Sequence, residues 1–148
     1  LSGADDDEDG DIDNRGDVYT APRIPTLPFL RLCKLILRVL DKIGSTMAVL
    51  RHDVAQNIRR LEVCWEGEPS KFGNIKEMLE AEIEAGHATS KTSCSRSFLW
   101  LLRAVDFSAA LLRKLARDPA VDMVAAVEEC YDLTSSSGMD GFLPQPTR

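Results

Sequence analysis

Aromatic residues make up 6% of this 148-residue chain, and histidine occurs only twice. His52 falls in a charged stretch and His87 in a polar connector, neither beside a nucleophile, so the usual nucleophile–base pairing has nothing to build on. Gly-rich phosphate loops, H-E-x-x-H and C-x-x-C pairs are missing, which removes the common nucleotide and metal motifs. The four cysteines, Cys33, Cys64, Cys94 and Cys130, are dispersed and read as thiols of a reducing compartment. The longest apolar runs are too short to cross a bilayer, and no Asn-x-Ser/Thr sequon occurs. Strand-like alternation is absent as well. The expectation is a cytoplasmic protein without catalytic residues, metal or cofactor.

Charge is unevenly spread. The formal net charge is −6, but residues 1–20 hold eight of the 24 acids against Arg15 alone. The remaining residues hold 16 acids and 17 bases, a net of +1. The acidic isoelectric point therefore describes one end of the chain, and the near-neutral body offers no strong field for nucleic acid.

Along the chain, residues 1–25 read as an acidic disordered segment containing Pro22 and Pro25, with little to bury. Asp5 to Gly10 imitates the start of a calcium loop, but Gly16 stands where the closing glutamate belongs. Residues 26–134 read as one all-α domain of five amphipathic helices, and 135–148 as a disordered tail. The first helix starts near Pro28 with Phe29, Leu32, Cys33, Ile36, Val39, Leu40 and Ile43 inward, and Gly44 ends it. Ser45 is the expected cap of the second, which buries Met47, Leu50, Val54, Ile58 and Leu61 and runs to about Cys64. A third, Asn74–Ala85, buries Ile75, Met78, Leu79 and Ile83 and stops at Gly86. The fourth, Ser95–Arg117, is the greasiest. Phe98, Leu101, Leu102, Val105, Ala109, Leu112 and Leu115 form its expected stripe, with Leu99, Phe107 and Leu111 widening it. Asp118-Pro119 is expected to open the fifth, with Val121, Val124, Val127 and Tyr131 inward.

Two polar sets lie on these helices. Asp53, Asn57 and Arg60 stand at i, i+4, i+7 on the second; Arg96, Trp100 and Arg103 repeat that spacing on the fourth. Such spacing stacks three side chains along one face beside the apolar stripe. Taken singly, the first set describes a solvated helix edge with an Asp–Arg attraction, and Trp100 a core residue. Taken together, a carboxylate, an amide, guanidinium groups and an indole beside greasy helices suit a ligand with a polar head and a hydrocarbon tail.

Residues 27–134 resemble the glycolipid transfer protein family, which includes the ceramide-1-phosphate transfer proteins. The resemblance is carried by Leu35 to Gly44, by Arg51 to Leu61 with its D-x-x-x-N-x-x-[KR] pattern, and by Arg96 to Ala104 with W-L-x-R. It implies a two-layer all-helical fold with a headgroup cleft at its surface and hydrocarbon chains between the layers. It also implies that Asp53, Asn57 and Arg60 bond headgroup oxygens or the ceramide amide, with Arg96 beside them, and that Trp100 is a platform for the first sugar. Partners would be a glycosylceramide or ceramide-1-phosphate and, transiently, a membrane surface. Asn57 and Trp100 match the glycolipid branch, whereas Arg96 matches the phosphate branch; the balance leans to glycolipid.

Family members continue after the position of Thr134 with a histidine-bearing segment and further helices, whereas this chain runs into Ser135-Ser136-Ser137. The chain also begins at Leu1 without methionine. The expectation is a fragment or a C-terminally truncated version of the fold. Three functions follow: a non-enzymatic sphingolipid carrier, a lipid sensor that binds without transfer, or an inactive truncated isoform.

Overall fold

The computed structural model describes residues 23–135; the acidic calcium-loop-like run and nearly all of the expected disordered ends lie outside them. Five helices and no strand form among the described residues: α1 (Thr26–Ile43), α2 (Ala48–Gly67), α3 (Ile75–Glu84), α4 (Cys94–Arg117) and α5 (Met123–Ser135). Ion pairs between Lys34 and Glu62 and between Asp41 and Arg51 set α1 antiparallel to α2. Helix α4 packs against all four others.

Contacts begin at Ile24, whose carbonyl accepts from the Ile75 amide at 2.9 Å. Pro25 caps α1 without a side-chain acceptor, and Pro28 in the first turn needs no partner for a missing N–H. The Thr26 amide is satisfied from across the fold by the Gly73 carbonyl at 3.0 Å, and the buried Thr26 hydroxyl donates to the Phe72 carbonyl at 2.7 Å. At the other end Gly44 takes φ 105°, a conformation that glycine adopts without penalty. Ser45 does not cap α2. Residues Ser45–Met47 form a 3-10 turn that sinks Met47 into the core, and Met47 itself holds the cap position. Helix α2 also passes Cys64 and ends at Gly67, because half-buried Trp65 packs against the core.

The α2 stripe is buried as the periodicity demands: Leu50, Val54, Ile58 and Leu61. Other faces are rotated from expectation. On α1, Leu30 is buried and Leu32 is 46% exposed. On α3, Ile75 and Met78 are buried but Ile83 is 62% exposed. On α4, Leu101, Ala104, Phe107, Ser108 and Leu111 are buried, whereas Leu99 and Leu112 face outward. On α5, Ala126 and Cys130 point inward and Val124 does not. Small residues set these faces: Ala104, Ser108 and Ala126 permit close helix contact, which outweighs the larger transfer energy of a neighbouring leucine or valine. Helix α5 starts after the Asp118-Pro119 turn. Asp118 accepts from the Ala120 amide, and Asp122 is the cap, accepting from the Ala125 amide at 3.1 Å.

Candidate functional site

The C-terminal turns of α2 meet the first turn of α4. Between them lies a cleft of about 320 Å³ lined by Arg59, Arg60, Val63, Cys64, Thr92 and Cys94. Its lining is mostly apolar, with two guanidinium groups on the α2 side.

Arg60 is the one member of the expected α2 set that lines the cleft. The attraction between Asp53 and Arg60 that spacing suggests does not form. Instead Arg60 Nη1 donates to Asn57 Oδ1 at 3.3 Å, and Asn57 Nδ2 donates to the Asp53 carbonyl at 2.8 Å. Asn57 is buried, so its amide is committed to fixing Arg60 along the helix. Asp53 is half-buried, and among the described residues its carboxylate neither accepts a hydrogen bond nor meets a cation. A carboxylate in that state is an acceptor held ready for a donor from outside.

On α4, Trp100 is half-buried and packs against the core, with the Arg103 guanidinium carbon 5.6 Å from its ring centroid. That cation–π contact holds the indole in place. Arg96 is exposed one turn earlier; its amide, not its guanidinium, is engaged, donating to Ser93 Oγ at 3.0 Å. The structure thus joins Asn57 to Arg60 and Trp100 to Arg103, each pair within one helix.

A decisive residue of this region is one that periodicity does not flag. Glu82, near the end of α3, spans the start of α4 with both oxygens: Oε2 accepts from the Cys94 amide at 2.6 Å and Oε1 from the Ser95 amide at 2.8 Å. Ser93 takes the Arg96 amide through its hydroxyl and the Ser97 amide through its carbonyl. All four N-terminal amides of α4 are therefore satisfied, and the positive end of its dipole already holds a carboxylate. Burial pushes Glu82 up, but the hydrogen bonds from Ser95 and Cys94 outweigh it and hold the group below the usual carboxylate range. A bound anion at this helix end would displace or oppose Glu82.

The thiols are set against nucleophilic work. Burial pushes Cys33 up to about 12. Cys94 is raised by burial first, then by the neighbouring Cys64 thiol and by Glu82. His52 and His87 are both exposed. Among the described residues no three His, Cys, Asp or Glu side chains gather to hold a metal ion, and no helix is long and apolar enough to cross a membrane. Of the residues at this cleft, Arg59, Thr92, Cys94 and Glu82 carry no signal in the helical spacing, apart from the Arg59-Arg60 doublet.

The family profile of the glycolipid transfer protein (GLTP) matches residues 24–136. Glycolipid transfer protein 3 of Arabidopsis thaliana is 51% identical over 111 residues, covering 75% of this chain and 48% of that protein. Glycolipid transfer protein 1 of the same plant is 39% identical over 109 residues, covering 74% of this chain and 54% of that protein. A solved structure showing how FAPP2 selects simple glycosphingolipids using the GLTP-fold superposes with a TM-score of 0.67 at 28% identity, over 77% of this chain and 54% of that one. The chain thus spans about half the length of the curated relatives it matches, and its five helices follow the two-layer all-helical fold of that structure.

Proposed function

Because the chain belongs to the glycolipid transfer protein family, we propose that it is a non-enzymatic sphingolipid carrier of the cytoplasm, binding a glycosphingolipid by its headgroup at Asp53, Asn57, Arg60, Arg96 and Trp100. The single observation behind this reading is the prepared row on α2. Asn57 fixes Arg60 on the cleft wall, and Asp53 is left with an unengaged carboxylate. Sugar hydroxyls and the ceramide amide are neutral donors that such a carboxylate accepts, and charge-assisted bonds of this kind are the stronger sort. The indole of Trp100, steadied by Arg103, supplies a flat apolar face of the kind a pyranose ring covers.

Glu82 favours a neutral sugar over a phosphate. With its carboxylate on the Cys94 amide at the cleft rim, the helix end that would attract a phosphate is already compensated. Exposed Arg96 speaks for the other reading, ceramide-1-phosphate, because a guanidinium bonds phosphate in a bidentate manner. The test is a titration of the purified chain with vesicles carrying glucosylceramide or ceramide-1-phosphate, read as lipid bound per protein, followed by vesicle-to-vesicle transfer. Glucosylceramide should bind more tightly, and Asp53→Val should weaken it at least about tenfold while helicity stays constant. Unchanged binding in the variant removes Asp53 from the site; a preference for the phosphate assigns the chain to the ceramide-1-phosphate branch. Binding without transfer makes it a sensor, and no binding of either lipid refutes the carrier reading.

A further inference from the structure

The four thiols of the chain divide into two kinds. Cys33 on α1 and Cys130 on α5 are closed to solvent, at 0% and 2% exposure. Cys64 and Cys94 are half-buried, and both line the cleft between α2 and α4. They reach it from opposite walls: Cys64 lies in the last turn of α2, and Cys94 is the first residue of α4. The two helices pack directly on each other. The Cys64 thiol is near enough to act on Cys94 through a hydrogen bond and through its charge. Glu82 accepts from the Cys94 and Ser95 amides, which keeps the backbone of Cys94 at the cleft. Residues 65–93, with all of α3, lie between the two thiols in sequence, so only the fold brings them together.

We propose that Cys64 and Cys94 are a redox site, a dithiol that hydrogen peroxide converts reversibly into a disulfide across the headgroup cleft. The Cys64 thiolate attacks one oxygen of the peroxide and the O–O bond breaks. Cys64 becomes a sulfenic acid, and the departing hydroxide takes up the proton that the thiol released, leaving as water. The Cys94 sulfur then attacks the Cys64 sulfur. The S–O bond breaks, and the hydroxyl leaves as a second water with the Cys94 proton. Two thiols and one peroxide thus give one disulfide and two waters, with the two electrons passing to the peroxide. A small dithiol returns them by exchange.

Surroundings set the order of the two steps. Cys94 is held protonated by burial first, then by the neighbouring Cys64 and by Glu82, so it does not open the reaction. Once Cys64 is an uncharged sulfenic acid, the thiol that opposed ionisation of Cys94 is gone. Arg59 and Arg60 share the cleft, and part-exposed cysteines among cations are those that oxidants reach. The bridge pins the end of α2 to the start of α4, the walls that carry Arg60 and Thr92. A headgroup entering between them then meets a closed cleft. That consequence rests on the carrier reading; the bridge itself does not.

The test treats the reduced full chain with one equivalent of hydrogen peroxide, without lipid, and maps it by mass spectrometry after trypsin. Tryptic peptides 61–71 and 92–96 each hold one cysteine. They should appear as a single linked species, lighter by the hydrogens of both thiols, and dithiothreitol should separate them. Non-reducing gels should show a monomer. Closing a loop of about 30 residues should raise Tm by roughly 10 °C. In Cys94→Ser, dimedone should label Cys64 and no linked pair should form. Oxidation of Cys64 without a link to Cys94, a link between two chains, or a link through Cys33 or Cys130 overturns the proposal. Glucosylceramide binding is then compared in the reduced and bridged chains. Loss on bridging, restored by dithiothreitol, supports closure of the cleft, and equal binding refutes closure. A reduced chain that binds no glucosylceramide refutes the carrier reading and leaves the peptide map untouched.

Discussion

Replacing Glu82 by glutamine keeps the length of the side chain and one of its acceptor oxygens but removes the charge and the second acceptor. In the wild type the two oxygens hold the Cys94 and Ser95 amides at 2.6 and 2.8 Å. An N-terminal cap bond contributes about 1 kcal/mol, and a carboxylate at the helix dipole about 0.5 kcal/mol. Glu82 is half-buried, solvent on its open side screens part of the charge, and glutamine retains one bond. The expected net loss for Glu82→Gln is therefore about 1 kcal/mol, a fall in Tm of roughly 4 °C for a domain of this size. The measurement is circular dichroism melting at neutral pH and again in acid. The folded-state pKa of Glu82 lies below its ordinary value of 4.5. Its contribution is then complete above that ordinary value and fades as the pH falls through the lower, folded-state value. The gap between wild type and variant should stand at pH 7 and close in acid, where both carry an uncharged side chain. Equal melting at pH 7, or a gap that persists unchanged in acid, refutes the assignment of Glu82 as a charged cap.

Thr26→Val keeps the shape of the side chain and deletes the donor to the Phe72 carbonyl. It should cost about 1–2 kcal/mol, seen as a lower urea midpoint with an unchanged slope. Trp100→Arg places a second guanidinium one helical turn from Arg96; competition binding should show preference moving from glucosylceramide toward ceramide-1-phosphate, and an unchanged ratio would make Trp100 a packing residue only.

Much of this architecture can be read from the chain, and what cannot has physical causes. The α2 stripe is legible because its apolar residues are large, regular and flanked by charge: Leu50, Val54, Ile58 and Leu61 are all buried. On α4 the apolar arc is too broad for periodicity to choose a centre, and the choice falls to Ala104 and Ser108, whose small size lets a neighbour approach. The same holds on α5, where Ala126 and Cys130 displace the more hydrophobic Val124 from the interior. Ser45 looks like a cap, yet burying Met47 tightens that stretch into a 3-10 turn. At the candidate site, the spacing of Asp53, Asn57 and Arg60 is visible, but the partner that each side chain selects is not. Arg60 takes Asn57 three residues away in preference to Asp53 seven away. Glu82 is beyond any local pattern, since its role exists only once α3 and α4 meet.

Helix α3 has ten residues, too few to persist by itself. It is tied at both ends to other helices. The Ile75 amide bonds the Ile24 carbonyl at the threshold of α1, and Glu82 bonds the opening amides of α4. A segment of marginal intrinsic stability thereby becomes a strut, about 15 Å long, that fixes the distance between the beginnings of α1 and α4. Lengthening or shortening α3 by a residue would therefore misplace the Ile24 carbonyl against Ile75 or the Glu82 carboxylate against α4, and with it the rim of the cleft.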